Sequence, residues 1–245
     1  MRALIVSLFL YNIQCYIIDM PTYNTTSVSA GSSTSAPLYF DWRLTDCVSP
    51  VKDQGQCDAC WAFSVIGNIE SHLCIYRNQR VVLSEQYLID CESHKTGCNF
   101  TPTEIVNLGG VLKEEDYFPY TENIHWCRAR CDTQPIPVAG FRKVEANEEI
   151  MKECVFQYGP LTAAINSASL HKYKGGIDEP TDGQCPPDSV DHHVLIVGYN
   201  TGKRTPYWII KNSWGTNFGD NGYYYLVRGR NACGITTDVS FSFVK

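Results

Sequence analysis

Residues 54–63 read Gln54-Gly55-Gln56-Cys57-Asp58-Ala59-Cys60-Trp61-Ala62-Phe63. From Cys60 onward, apolar side chains recur at steps of three or four residues, at Trp61, Val65, Ile69, Leu73 and Tyr76. This spacing predicts a helix over residues 60–76 with one buried stripe. A cysteine at the start of a helix faces unpaired backbone amides and the positive end of the helix dipole, which favour the thiolate form. The stretch therefore predicts a nucleophilic Cys60 at a helix N-terminus.

Further along the chain, the sequence predicts helices first and strands later. One short helix fits residues 84–91, and Asn147 caps another that ends at Gly159-Pro160. β-branched and aromatic residues are concentrated in five short segments, at residues 161–165, 194–199, 207–210, 223–227 and 239–244. This order indicates an α+β protein with two lobes, and a cleft between the lobes is the expected place for a functional site.

The composition limits the class of protein. With 245 residues and 44% hydrophobic content, the chain can bury a sizeable core as a monomer. The net charge is −6 and the longest basic run is Lys203-Arg204, so we expect no nucleic-acid partner. Twelve cysteines are too many for an ordinary reduced cytosolic enzyme, and they indicate an oxidising compartment.

The first residues are typical of a secretory signal. A basic start at residues 1–2 is followed by an apolar run over residues 3–11, which is too short to span a bilayer. We therefore expect a signal peptide at residues 1–18. The alternative is that the apolar run forms a buried first helix of the fold.

A polar segment separates this start from the folded part. Residues 19–37 are rich in Ser and Thr and predict a linker, so the folded domain is expected at residues 38–245. Asn24 begins an acceptor for N-glycosylation. No later segment is apolar for long enough to anchor the chain in a membrane. We expect secretion or delivery to a compartment like the lysosome or vacuole.

Two segments far downstream carry polar residues that would complete a thiol-based site. Val190-Asp-His192-His-Val-Leu-Ile-Val-Gly198-Tyr holds a histidine pair, and Lys211-Asn212-Ser-Trp214-Gly215 follows it. Together with residues 54–63, these segments closely resemble the papain family of cysteine proteases, in its cathepsin L-like endopeptidase branch. The resemblance extends over residues 40–245, and Asn231-Ala-Cys-Gly234 is similar to the cathepsins of insect viruses. It implies a helical N-terminal lobe and an antiparallel, β-barrel-like C-terminal lobe, with the active-site cleft between them.

The resemblance implies a role for each residue of the site. Cys60 would be the nucleophile, and His192 would act first as general base and then as general acid. Asn212 would orient the imidazole, and Trp214 would shield the hydrogen bond between them from water. The side chain of Gln54 and the backbone amide of Cys60 would stabilise the oxyanion. No cofactor or metal is implied.

His193 is the rival of His192 for the catalytic role. Neighbouring residues of a strand face opposite ways, so only one of the two can meet Cys60. The position of Gly198-Tyr199 favours His192, which leaves His193 as a half-buried strand residue. We expect the remaining histidines to be ordinary surface residues: His72, His94, His125 and His171.

The spacing Cys57-x-x-Cys60 also allows a zinc site or a redox pair. A zinc site needs a second pair of close ligands, and Cys91 and Cys98 are too widely spaced for this. A thioredoxin-like pair needs a βαβ context, which the predicted elements do not provide. Both alternatives are therefore weak.

The remaining cysteines fit a framework of disulfides. The resemblance implies the pairs Cys57–Cys98, Cys91–Cys127 and Cys185–Cys233. Four cysteines are left, and spacing alone leaves three pairings open. Of these we favour Cys74–Cys131 with Cys47–Cys154. The resemblance also implies a buried ion pair between Glu85 and Lys211.

The sequence departs from the family pattern at three places. Asp58 replaces a glycine that the family has beside the nucleophile, and its charge opposes thiolate formation. Phe100 and Thr101 replace a glycine pair that binds the substrate backbone, and they make Asn99 a glycosylation acceptor on the cleft rim. The family's inhibitory prosegment is missing, because only residues 19–37 separate the expected signal from the catalytic domain.

The resemblance also places a specificity pocket for the second residue on the acyl side of the scissile bond. Its floor falls on Asp238 and its walls on Ala164 and Val190. An apolar pocket with an acidic floor is expected to accept Leu or Phe and also Arg or Lys.

The favoured function is that of an active thiol endopeptidase. It would act on proteins and peptides and bind cystatin-like inhibitors. The alternative, favoured by Asp58 and by Phe100-Thr101, is a catalytically weakened homologue that binds peptides or partners. A purely structural, disulfide-rich secreted module is a third hypothesis.

Overall fold

The computed structural model describes residues 35–92 and 103–244. Within these ranges the helices are α1 (Cys60–Arg77), α2 (Glu85–Cys91), α3 (Thr103–Asn107) and α4 (Glu148–Tyr158). The strands are β1 (Tyr39–Asp41), β2 (Val138–Lys143), β3 (Leu161–Ile165), β4 (Ile177–Asp178), β5 (His192–Asn200), β6 (Tyr207–Lys211), β7 (Tyr223–Val227) and β8 (Val239–Val244). The predicted α+β class is confirmed, and the helices precede strands β3 to β8, although β1 lies before α1 and β2 before α4.

The strands form one twisted sheet in the described part of the chain, in the order β2-β8-β3-β5-β6-β7-β4 with β1 paired to β5. Every pairing is antiparallel except that of β4 with β7. Two large hydrophobic cores result, one around α1 and α2 and the other between the sheet and α4, with a small third cluster of Leu195, Val197 and Ile209. The longest strand, β5, begins at His192, so the sheet brings that residue to the boundary between the two lobes.

The helix boundaries follow from capping side chains that the sequence already contains. Ser84 accepts a hydrogen bond of 3.0 Å from the Tyr87 amide at the start of α2. Asn147 accepts one of 2.9 Å from the Glu149 amide at the start of α4, and α4 ends before Gly159. The predicted starts of these helices are confirmed.

Helix α1 differs from the prediction in one respect. The helix is where we expected it, but burial is continuous from Cys60 to Cys74 and the single buried stripe is wrong. The reason is that the sheet covers the face opposite α2. Ser64 Oγ donates a hydrogen bond of 2.6 Å to the Val194 carbonyl, and Asn68 Oδ1 accepts one of 2.8 Å from the Ser242 amide. α1 is therefore the central helix of the fold, and it joins the two cores.

The disulfides partly follow the expected framework. Cys91–Cys127 and Cys185–Cys233 are bonded, as the resemblance implies. The third observed bond joins Cys47 to Cys74, so both preferred pairings, Cys74–Cys131 and Cys47–Cys154, are wrong. Cys57 forms no bond with any described cysteine, and its expected partner Cys98 lies outside the described residues.

The expected ion pair between Glu85 and Lys211 is also wrong. Glu85 binds Lys52 instead, at 2.7 Å between Oε1 and Nζ, and Glu70 lies 3.3 Å from the same ammonium group. Lys211 Nζ donates to Ser49 Oγ at 3.0 Å, and burial lowers the pKa of Lys211 to about 8. Lys52 Nζ also donates to the Leu83 carbonyl at 3.4 Å, so its ammonium group lies on the helical side of the cluster, next to Glu70 of α1 and Glu85 of α2.

Within residues 35–92 and 103–244, none of the helices has the length and apolar content needed to cross a bilayer.

Candidate active site

His192 and Asn212 form the central hydrogen bond of the site. His192 Nε2 and Asn212 Oδ1 are 2.8 Å apart, and both residues are buried. The same Oδ1 accepts a hydrogen bond of 2.9 Å from the Ser213 backbone amide, which can only donate. The atom is therefore the amide oxygen, and His192 Nε2 must carry the hydrogen. The other ring nitrogen, Nδ1, is left as the atom that can accept a proton.

Trp214 covers this hydrogen bond. Its indole ring lies 4.9 Å from the His192 ring, centroid to centroid. The exposed His171 also stacks on it, at 5.0 Å with an interplanar angle of 23°. A cleft of about 310 Å³ opens beside this stack, and its lining residues include Leu170, His171, Tyr173, Lys174, Trp214 and Phe218. Trp214 therefore covers the imidazole and also lines this cleft.

The packing of α1 on β5 brings Cys60 to the same end as His192. Ser64, one helical turn after Cys60, contacts Val194, two residues after His192. Further along, Gly67 lies against Leu195, so the helix and the strand advance in the same direction. The step from Ser64 back to Cys60 along α1 and the step from Val194 back to His192 along β5 cover similar lengths, about 6 Å each. This register supports a Cys60 that lies beside His192 at the start of both elements.

Cys60 is the first residue of α1 and is buried. The N-cap residue is Ala59, whose side chain offers no hydrogen bond to the helix start. An 18-residue helix presents the positive end of its dipole at this point, which favours a thiolate on Cys60.

Gln54 is fixed against the segment that carries Asn212. Its backbone amide donates to the Ser213 carbonyl at 2.8 Å, and its Oε1 accepts from Ser213 Oγ at 2.6 Å. The side-chain Nε2 donates to the Cys57 carbonyl at 2.8 Å. An amide nitrogen carries two hydrogens, so the second is available to a substrate oxygen. The geometry suits an oxyanion donor.

The electrostatics of His192 oppose a lone positive charge. Burial lowers the pKa of His192 to about 4, and the hydrogen bond with Asn212 opposes this shift. Among the neighbouring charges, His193 and His171 lower this pKa and Asp191 raises it. A protonated His192 therefore needs an adjacent negative charge, which a Cys60 thiolate would supply.

His193 lies apart from this arrangement. It pairs with Ala164 on β3, and its Nδ1 is buried without a hydrogen-bond partner among the described residues. Burial lowers the pKa of His193, and the charge of Asp238 opposes the shift. Asn212 and Trp214 contact His192 instead.

The other histidines did not all follow the expectation of surface positions. His72 is only 1% exposed, with its Nε2 3.2 Å from the Pro160 carbonyl, so that expectation is wrong. His72 lies on the side of α1 that faces the sheet, where its ring is 5.8 Å from that of Phe241 on β8, and this explains the burial. His171 is exposed but stacks on Trp214, a contact that no sequence pattern indicated. His94 lies outside the described residues.

Some residues of the predicted specificity pocket are neighbours. The Ala164 amide donates to the Asp238 carbonyl at 2.9 Å, and Val190 packs against Gly234. The Asp238 side chain is 58% exposed and lies 3.6 Å from Lys143 Nζ.

Asp58 is also exposed, two residues before Cys60. Four residues singled out in the sequence lie outside the described residues: Asn24, Asn99, Phe100 and Thr101. Within the described residues, no group of three side chains is arranged to bind a metal ion.

Comparison with known proteins agrees with this geometry. The family model for "papain family cysteine protease" matches residues 36–243. Cathepsin F of Mus musculus is 39% identical over 214 residues, which are 85% of this chain and 46% of that protein. A viral cathepsin of Choristoneura fumiferana nuclear polyhedrosis virus is 39% identical over 212 residues, 84% of this chain and 64% of the relative. The chain thus spans about half to two thirds of the length of these relatives.

A solved structure shows the same fold. Digestive procathepsin L 3 of the Tenebrio molitor larval midgut superposes with a TM-score of 0.80 and 33% identity, over 90% of this chain and 74% of that one. The residues that the family model matches, 36–243, include Cys60, His192 and Asn212. The chain therefore belongs to the papain family of cysteine proteases.

Proposed function

We propose that the chain is a cysteine endopeptidase that hydrolyses peptide bonds of proteins through an acyl-enzyme. The observation that carries the proposal is the buried His192–Asn212 pair under Trp214. The packing of α1 on β5 supports a position of Cys60, the first residue of α1, beside this pair. This arrangement provides a nucleophile, a base with a fixed tautomer and a group that orients the base.

In the first half of the reaction, His192 Nδ1 takes the proton of the Cys60 thiol. The thiolate attacks the substrate carbonyl carbon, and Gln54 Nε2 with the Cys60 amide stabilises the oxyanion. The carbon–nitrogen bond then breaks, and His192 returns the proton to the leaving amine. A thioester on Cys60 remains.

In the second half, His192 Nδ1 takes a proton from water as the water oxygen attacks the thioester. The carbon–sulfur bond then breaks, the carboxylic acid leaves, and His192 returns the proton to the Cys60 sulfur, which restores the thiol. The low pKa of a buried His192 makes the proton transfers interdependent, because the imidazolium is stable only while a negative charge lies beside it.

The test is labelling with a thiol-directed peptidyl epoxide, followed by peptide mapping. The expected result is one adduct, on Cys60, and loss of peptide hydrolysis in Cys60→Ala. An adduct on another cysteine, or unchanged turnover in Cys60→Ala, would contradict the mechanism.

A catalytically weakened binding protein is the second candidate. Asp58 favours it, because an exposed carboxylate two residues from the nucleophile opposes thiolate formation. The variant Asp58→Gly separates the two candidates. A wild type that binds peptides but is active only after this change would be a weakened homologue.

The specificity of the acyl-side pocket is part of the proposal. Ala164 and Val190 leave apolar space for Leu or Phe, and Asp238 would add acceptance of Arg or Lys. The backbone hydrogen bond from the Ala164 amide to the Asp238 carbonyl supports this assignment only in placing the two residues side by side. Lys143, at 3.6 Å from the Asp238 carboxylate, would compete with a basic substrate side chain.

The proposal extends to partners and compartment. Protein and peptide substrates, and cystatin-like inhibitors of the same cleft, would be the partners of a monomeric enzyme. Three disulfides within the described residues support an oxidising location, either secreted or in a compartment like the lysosome.

A further inference from the structure

Glu122 has a backbone conformation that glutamate rarely adopts. Its φ is 59°, in the left-handed region. Among the described residues, the other non-glycine residues with positive φ are Asn78, Asn221, Asn231 and Cys233. Asparagine tolerates this region, whereas a glutamate there costs free energy that surrounding contacts must offset. The contacts of Glu122 therefore indicate which part of the protein offsets the cost of its strained backbone.

Those contacts are with the loop that carries Gln54. Glu122 Oε2 accepts a hydrogen bond of 3.0 Å from the Gln56 amide. The carboxylate also lies flat against Gly55, so closely that a Cβ at that position would overlap it. Gly55 is itself left-handed, with φ 59°. The carboxylate thus fits the two residues that shape the turn between Gln54 and Cys57.

The segment that bears Glu122 is anchored to the rest of the helical lobe. Tyr120 Oη donates to the Gln54 carbonyl at 2.7 Å, and its ring packs edge-on against Phe63 of α1 at 5.0 Å. The Thr121 amide donates to Gln86 Oε1 of α2 at 2.9 Å. Residues 120–122 therefore link the Gln54 loop to both helices, and Glu122 provides the contact with the middle of that loop.

The position of the Gln54 amide depends on this loop. Gln54 Nε2 donates to the carbonyl of Cys57, three residues further on, and Oε1 is held by Ser213. A displacement of Gly55 and Gln56 would move the Cys57 carbonyl and rotate the amide that faces the oxyanion. We propose that Glu122 is a positioning residue for the oxyanion site, acting through the Gln56 amide and Gly55. This inference rests on the proposed function, because an oxyanion forms only if the chain cleaves peptide bonds.

The test compares the full-length chain with Glu122→Ala, Glu122→Gln and a surface control, Glu115→Ala. The contact of an oxyanion donor is made in the transition state. We therefore expect Glu122→Ala to lower kcat about tenfold with KM within about twofold. Glu122→Gln retains an oxygen that accepts from the Gln56 amide, so its kcat should stay within about threefold of wild type. Glu115→Ala should match wild type.

A second measurement separates positioning from a general effect on the nucleophile. The rate at which iodoacetamide alkylates Cys60 is measured by peptide mapping at several pH values. This reaction needs a thiolate but no oxyanion donor. We expect its rate and pH profile to be the same in Glu122→Ala and wild type, which also reports that the site is folded.

The outcomes distinguish this inference from the proposed function. Equal kcat loss in Glu122→Gln and Glu122→Ala, or a shifted alkylation profile, would show that charge or folding is responsible and would overturn the inference. An active wild type with an unimpaired Glu122→Ala would overturn it alone. A wild type without turnover would overturn the proposed function and this inference with it.

Discussion

His192 and Asn212 are joined through a single oxygen, Asn212 Oδ1, which also accepts the Ser213 backbone amide. Because a backbone amide cannot change from donor to acceptor, this second contact fixes the orientation of the Asn212 side chain. The Asn212 oxygen in turn fixes the tautomer of His192. The reactive nitrogen of the site is thus determined by a backbone group outside it.

The first prediction concerns the histidine pair. His192→Ala should lower kcat/KM by about 10²-fold or more, because the general base is lost. His193→Ala should stay within about tenfold of wild type, since it is the His192 ring that contacts Asn212 and Trp214. Initial rates on a fluorogenic peptide measure both. A larger loss in His193→Ala would mean that the other imidazole meets the nucleophile.

The second prediction concerns the Asp238 pocket. Lys143 Nζ lies 3.6 Å from the Asp238 carboxylate, and both side chains are more than half exposed. Lys143→Ala should raise the ratio of Arg to Leu cleavage a few-fold, because it frees the carboxylate for a basic side chain, and Asp238→Ser should lower the ratio. Paired fluorogenic dipeptides that differ only at this residue measure the ratio. An unchanged ratio in both variants would remove Asp238 from the pocket.

The third prediction concerns stability in acid. Burial lowers the pKa of His72 to about 4 from an ordinary 6.5, so the unfolded chain binds this proton first as the pH falls. The native state should therefore lose up to about 3 kcal/mol through His72 between pH 6.5 and pH 4, and above pH 6.5 the residue should have no effect.

Urea unfolding at several pH values tests this stability prediction. In His72→Gln, which is neutral throughout and can still donate to the Pro160 carbonyl, the dependence on pH over that range should be weaker. His171→Gln is the matched control, because His171 is exposed. Parallel pH dependences in wild type and His72→Gln would contradict the assignment.

The fourth prediction concerns Asn99. The acceptor Asn99-Phe100-Thr101 should carry a glycan after passage through a glycosylating secretory pathway. Asn99→Gln should lose the corresponding mass, and peptide cleavage should become faster if the glycan narrows the cleft. Peptide mapping that finds Asn99 unmodified in secreted material would exclude this site.

The sequence predicts the fold well where local pattern and packing agree. The helix starts at Ser84 and Asn147 have capping side chains, and the strands β3, β5, β6, β7 and β8 concentrate branched and aromatic residues. Strands β1 and β4, which are three and two residues long, were not predicted. Strand β2 was not predicted either. It lies at the sheet edge, ends in the exposed Arg142 and Lys143, and contains Gly140, so it has little apolar signal.

The predictions of residue pairs are wrong where two residues could each be the partner of the same side chain. Nothing in the sequence distinguishes Lys52 from Lys211 as the partner of Glu85, because the choice depends on how the lobes meet. The pairing of Cys47 with Cys74 likewise depends on the path of the chain before α1. Glu122 had no sequence signal, since its role appears only through a backbone angle and contacts with residues far away in the chain.

The bond between Cys47 and Cys74 closes a covalent ring of the chain that contains both Gln54 and Cys60. One sulfur inside this ring must stay reduced for the proposed chemistry, while the two that close it must stay oxidised. The redox potential of the surroundings must therefore be high enough to keep the Cys47–Cys74 bond intact and low enough to leave the Cys60 thiol reduced. A reducing agent added to activate the protein should raise its activity to a maximum and then lower it, as the ring around the nucleophile opens.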